Sequence, residues 1–104
     1  MAGKFEIAGL TITHAQRIHD YVQLGFDNGW GLNIYNRIVS PEISESFLRR
    51  LADCIVEAED VRDGRYVLRL DGGMSIAVGI EDDDYNGPEA MELIKPSGVR
   101  VVWA

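Results

Sequence analysis

Apolar positions along most of this chain recur with a period of two, in short runs broken by glycine-centred turns, and that pattern predicts β-strands. In "RYVLRLDGGMSIAVGIE" (Arg65 to Glu81), Tyr66, Leu68 and Leu70 alternate with Val67, Arg69 and Asp71. One face of that arm is therefore expected to be dry and the other wet. Asp71-Gly72-Gly73 forms the turn into the second arm. "DYVQLGFDNGWGLNIYN" (Asp20 to Asn36) has the same design, folded at Asp27-Asn28-Gly29, where glycine supplies the positive φ of a tight hairpin. A third hairpin is read in "AMELI" and "VRVVWA", which flank Lys95-Pro96-Ser97-Gly98. Val99, Val101, Val102 and Trp103 give its second arm strong strand propensity.

One segment departs from this period. In "SPEISESFLRRLADCIVEAED", Phe47, Leu48, Leu51 and Ile55 recur near 3.6-residue spacing, with Ser40-Pro41 or Ser44 available to start a helix. A single helix is predicted over about 44–53, turning into strand around Ile55 to Glu59. The first two hairpins also align with each other. Tyr21-Val22 faces Tyr66-Val67, and upstream Ile12, Ile18 and Asp20 face Ile55, Val61 and Asp63. Two related β-meanders, about 9–36 and 52–81, followed by a hairpin over 89–103, are the expected organisation of one domain spanning 1–104. The fold class is then α+β and predominantly antiparallel β. Seven to nine short strands form two packed sheets or a curled sheet, with one helix near 44–53.

Charge adds an asymmetry that the periodicity does not show. Acids and bases cancel over residues 1–50, whereas residues 51–104 carry twelve acids against five bases, the whole of the net charge of −7. Binding through nucleic-acid phosphates needs the opposite sign, so a basic protein is the natural partner. No apolar run reaches the roughly 20 residues of a membrane span, and "MAGKFEIAGL" lacks the apolar stretch of a signal peptide. The lone Cys54 excludes an internal disulfide and suits a reducing compartment, so a cytoplasmic location is expected.

The residues that most often carry catalysis are sparse. His14 and His19 are the only histidines, and their spacing tends to put them on opposite faces of a strand. Cys54 is the only other soft ligand, too few for zinc, and no serine sits in a nucleophile elbow. The chain is therefore expected not to be an enzyme and to need no cofactor.

The densest charge lies in "IEDDDYNGPEAMEL" (Ile80 to Leu93), where Asp82, Asp84, Asn86 and Gly87 match the first half of a calcium-binding loop. The twelfth position of that pattern requires glutamate, but it falls on Leu93, with Glu92 one residue short, and Pro88 sits at the seventh. Calcium held by Asp82, Asp84, Asn86 and Glu92 is therefore the alternative reading, together with a generic protein-interaction module. The main reading is a docking surface for a basic protein. It comprises Glu81, Asp82, Asp83 and Asp84 with Tyr85, joined by Glu57, Glu59 and Asp60, and by Trp30 and Tyr35 as aromatic anchors.

The paired units "DYVQLGFDNGWGLNIYN" and "GRYVLRLDGGMSIAVGIE", followed by "GPEAMEL" and the closing strand "VRVVW", resemble small immunity proteins of bacterial polymorphic toxin systems. That group includes the immunity proteins of contact-dependent growth inhibition. The resemblance implies a short acidic cytoplasmic protein that binds and blocks the toxin domain of its own locus. Many such toxins are nucleases with a basic cleft. It carries over no set of binding residues, because these families vary most at their interfaces.

Overall fold

The computed structural model describes residues 5–104. Nine strands and one helix follow in the order β1 (Ile12–Ile18), β2 (Tyr21–Phe26), β3 (Gly31–Ile34), β4 (Ile38–Ser40), α1 (Glu45–Leu51), β5 (Val56–Arg62), β6 (Arg65–Leu70), β7 (Ser75–Gly79), β8 (Met91–Ile94) and β9 (Arg100–Trp103). They build two antiparallel sheets, one ordered β1-β2-β3-β8-β9 and the other β4-β7-β6-β5. This is the expected α+β fold. The turns fall where glycine permits them, with Gly29 at φ 88° between β2 and β3 and Gly98 at φ 90° between β8 and β9. No helix among the described residues is long and apolar enough to cross a membrane.

The two sheets bury their facing sides against each other. Val22, Leu24, Leu32, Ile34, Met91 and Leu93 come from the first sheet and Tyr66, Leu68, Leu70, Ile76 and Val78 from the second, and all are buried. Trp103 on β9 meets Tyr66 on β6 edge to face at 5.5 Å, tying the two layers together. A bridge between Thr11 and Ile55 joins the sheets along one corner. The helix covers that side by packing on β1. Its start is set by Ser44, whose hydroxyl accepts the Phe47 N–H at 3.1 Å, while Phe47, Leu48 and Leu51 point inward. The helix ends at Leu51, two residues short of the expected boundary, and β5 runs on to Arg62, beyond the expected end at Glu59.

The periodicity correctly marks the dry face of β6, because Tyr66, Leu68 and Leu70 are buried. The aligned tyrosines, however, point to opposite faces. Tyr21 lies on the outside of its sheet, and Tyr66 is fully inside. Nor does local pattern foretell the short β4 or the pairing of β3 with β8 across the chain.

Inside the core sits a carboxylate. Glu59 accepts the Phe5 N–H at 2.7 Å, the Ile7 N–H at 2.9 Å and the Tyr66 hydroxyl at 2.8 Å, and so straps the N-terminal segment onto the second sheet. Burial, and then the adjacent Glu59, hold the Tyr66 hydroxyl far above its ordinary value of 10.0. The unfolded chain releases that proton near pH 10 and the folded chain keeps it. The resulting stability is therefore complete below about pH 10 and is lost as pH rises further, at up to about 1.4 kcal/mol per pH unit. Urea midpoints taken between about pH 9 and 11.5 should show this fall, and Tyr66→Phe should make it less steep, with the raised Tyr35 and Cys54 accounting for the remainder. An equally steep fall in the variant would remove Tyr66 as the source.

Candidate functional site

The loop between β7 and β8 begins with one turn of 3-10 helix, Asp82–Asp84. Its four consecutive acids divide into two roles. Glu81, Asp82 and Asp83 are exposed, whereas Asp84 is buried. The Asp84 carboxylate turns back into the protein. Oδ2 accepts the Glu81 N–H at 3.1 Å, and Oδ1 receives Nε and Nη2 of Arg37 at 3.0 and 2.8 Å. The backbone carbonyl of Asp84 also accepts the Arg37 N–H at 3.0 Å. Gly79 leaves the room for this arrangement, since a methyl group built on it would fall on the Asp84 carboxylate. On the other side, the Glu81 stem rests on Gly64, where a Cβ would come within 2.7 Å of it.

Asp84 thus acts as an internal bracket that pins the turn on which Asp82 and Asp83 are exposed. Arg37 offsets the Asp84 charge, leaving the exposed Asp82 and Asp83 as the main uncompensated charge of the turn, with Glu81 beside them in the capping box. Ile80 N–H bonds Gly64 O at 3.0 Å, which brings the exposed Asp63 of the β5–β6 turn alongside. Two hollows flank the loop that follows. One, of about 370 Å³, is lined by Ile80, Asp82, Tyr85, Gly87, Pro88 and Ala104. The other, of about 270 Å³, has as part of its wall Tyr21 and Tyr35, stacked edge to face at 5.1 Å.

The remaining expected docking residues do not gather here. Glu57 is exposed but near the opposite end of β5, roughly 20 Å from the acidic turn at about 3.3 Å per residue. Asp60 pairs with Arg69 at 3.0 Å on the outer face of the second sheet. Glu59 points the other way, into the core. Glu59 and Asp84 are therefore structural carboxylates, because every buried charge must find donors and these two have found theirs inside the fold. Trp30 is half-buried under the Lys95 ammonium, 4.6 Å from its ring centroid.

Tyr35 joins a polar row that crosses the outer face of the five-stranded sheet. Gln16, Gln23, Asn33 and Glu92 are successive cross-strand partners. Gln16 Nε2 donates to Gln23 Oε1 at 3.1 Å, and Gln23 Nε2 donates to Asn33 Oδ1 at 2.9 Å. Asn33 Nδ2 donates to the Tyr35 hydroxyl at 3.2 Å, which donates to Glu92 Oε1 at 2.9 Å. Arg100 Nη1 closes the row on Glu92 Oε2 at 2.9 Å. Burial is the main cause that raises the Tyr35 hydroxyl above its ordinary value, with Glu92 adding to it, so it remains a donor. Sequence reasoning missed this row, together with Arg37 and Asp63. Register alone reveals the row, although polar alternation in β1, β2 and β3 was a usable sign.

The calcium alternative requires correction. Asp84 is bound to Arg37, Glu92 to Tyr35 and Arg100, and Asn86 Nδ2 donates to the Tyr35 carbonyl at 2.9 Å. Among the described residues no group of three or more His, Cys, Asp or Glu side chains is placed to hold a metal ion. His14 lies exposed on β1 over Gly25, and His19 is exposed in the β1–β2 turn. Cys54 lies buried behind α1, its Sγ 3.3 Å from Arg50 O and 3.9 Å from Met74 Sδ, and burial raises its thiol pKa. The chain matches no family model, no curated protein and no solved structure.

Proposed function

We propose that this chain is a cytoplasmic immunity protein. It binds a toxin domain with a basic cleft, in particular a nuclease, and blocks it stoichiometrically. The observation that carries this reading is the exposure of Glu81, Asp82 and Asp83 on a turn pinned by the buried Asp84. Carboxylates fixed in advance lose little conformational freedom on meeting arginine or lysine, and their field speeds encounter. Asp63 extends the same patch, and the Tyr85 hollow supplies apolar area beside it. The test uses the toxin domain encoded beside the gene. Changing Asp82 and Asp83 together to Ala should weaken binding about tenfold or more and reduce its salt dependence. The melting temperature should stay unchanged, because both side chains are exposed. Full affinity and inhibition in this variant would remove the acidic turn from the mechanism.

A further inference from the structure

Each sheet has two edges, β1 and β9 in one and β4 and β5 in the other. Free backbone donors and acceptors on an edge recruit other strands, and proteins usually block them with bulges, charges, short strands or covering segments. Three of these edges carry such devices. β1 has a bulge between Ile12 and His14 and lies beside α1. β4 is three residues long and irregular. β5 has a bulge between Val56 and Ala58, and Val56 bonds in both directions with Gly9 and Leu10.

β9 is short and bears one charge, Arg100, which is tied back to Glu92, but it has no bulge and among the described residues no segment covers it. Its pairing with β8 is regular, it contains no proline, and Val99, Val101 and Val102 on and beside it are 52%, 38% and 42% exposed. Its free groups can be assigned from one bond. Lys95 N–H donates to Val99 O at 2.9 Å, so Val99, Val101 and Trp103 face β8, and the N–H and C=O of Arg100 and Val102 face outward. Just past this strand lies the 370 Å³ hollow, where Ala104 is joined by apolar Ile80, Tyr85 and Pro88 and by the exposed acid Asp82. That combination fits the aliphatic stem and cationic head of arginine or lysine.

We propose that β9 is a docking edge for an extended segment of a basic partner protein. The segment adds to the sheet antiparallel, through Arg100 and Val102, and lays an arginine or lysine into the hollow against Asp82. The placement of the cation rests on the basic-partner reading above, while the backbone pairing does not. A second copy of the chain fits less well. It brings a net charge of −7, and the cations of its own hairpin are engaged, Lys95 over Trp30 and Arg100 with Glu92.

The test follows backbone amides in ¹⁵N-labelled protein titrated with a synthetic hexapeptide of alternating valine and threonine that begins with arginine. The amides of Arg100 and Val102 should shift, and their solvent exchange should slow about fivefold or more. N-methylating the bonding amides of the peptide should abolish both effects, as should Val102→Pro, which removes an outward N–H without touching the bonds to β8. Asp82→Asn should weaken binding several-fold at low salt and leave the Arg100 and Val102 response in place. Shifts confined to the acidic turn would overturn the docking edge and leave the acidic-turn reading standing. Arg100 and Val102 amides already protected without peptide and released on dilution would assign the edge to a second copy and overturn the proposal. A strand response indifferent to Asp82→Asn would overturn the placement of the cation.

Discussion

Replacing Glu59 with Ala is expected to cost roughly 3–5 kcal/mol of folding stability, the largest single effect anticipated in this protein. The carboxylate is 5% exposed and satisfies three donors that have no water to turn to, the amides of Phe5 and Ile7 and the hydroxyl of Tyr66. Two of those bonds hold the segment that places Phe5 against Tyr66 and Trp103, at ring distances of 5.8 and 5.9 Å. Losing the acid therefore strands three polar groups and loosens one end of the aromatic cluster together. Denaturant midpoints read the cost directly, and Tm should fall by roughly 15–25 °C. Glu59→Gln, with the same volume and one acceptor, should lie between the parent and Glu59→Ala. Tyr66→Phe, which strands no backbone amide, should cost only about 1 kcal/mol at neutral pH. A Glu59→Ala variant within about 1 kcal/mol of the parent would show that the strap is not held by this residue.

The second large effect is expected at Gly79, whose substitution by Ala should cost roughly 2–4 kcal/mol. Its backbone is bonded on both sides, N–H to Arg37 O at 3.0 Å and C=O from Asn36 Nδ2 at 2.8 Å, so the strand has little freedom to retreat. The new methyl must displace the Asp84 carboxylate and with it the Arg37 pair and the bracket beneath the acidic turn. If that displacement is the cause, Asp84→Ala removes the obstruction in advance. The double variant should then be less destabilised than the two single costs together, by roughly 1–2 kcal/mol. Strict additivity in chemical denaturation would mean that the glycine matters for some other reason. Gly79→Ala should also weaken partner binding, because the exposed carboxylates lose their fixed frame.

Much of this architecture was legible before any coordinates. Glycine at the β2–β3 and β8–β9 turns, period-two alternation in β6 and a serine followed by a 3.6-residue apolar stripe at α1 are local signals, set by backbone sterics and one-sided burial over a few residues. The same signals read the acidic stretch correctly as a loop between strands. They failed where partners lie far apart in sequence. Glu59 and Asp84 look like their exposed neighbours Glu57 and Asp83, yet Glu59 meets amides 52 and 54 residues away, and Asp84 meets an arginine 47 residues away.

The sequence by itself thus determined most of the strands, their glycine turns, the helix start and the concentration of negative charge in the C-terminal half. Only the tertiary structure decided which carboxylates face water and which brace the fold, how β3 reaches β8, and that β9 is the uncovered edge among the described residues. The reason is physical. Local periodicity reports whether a residue lies on a buried face, but a buried charge is tolerable only where chain closure brings donors to it, and an edge is bare only when no distant segment closes over it.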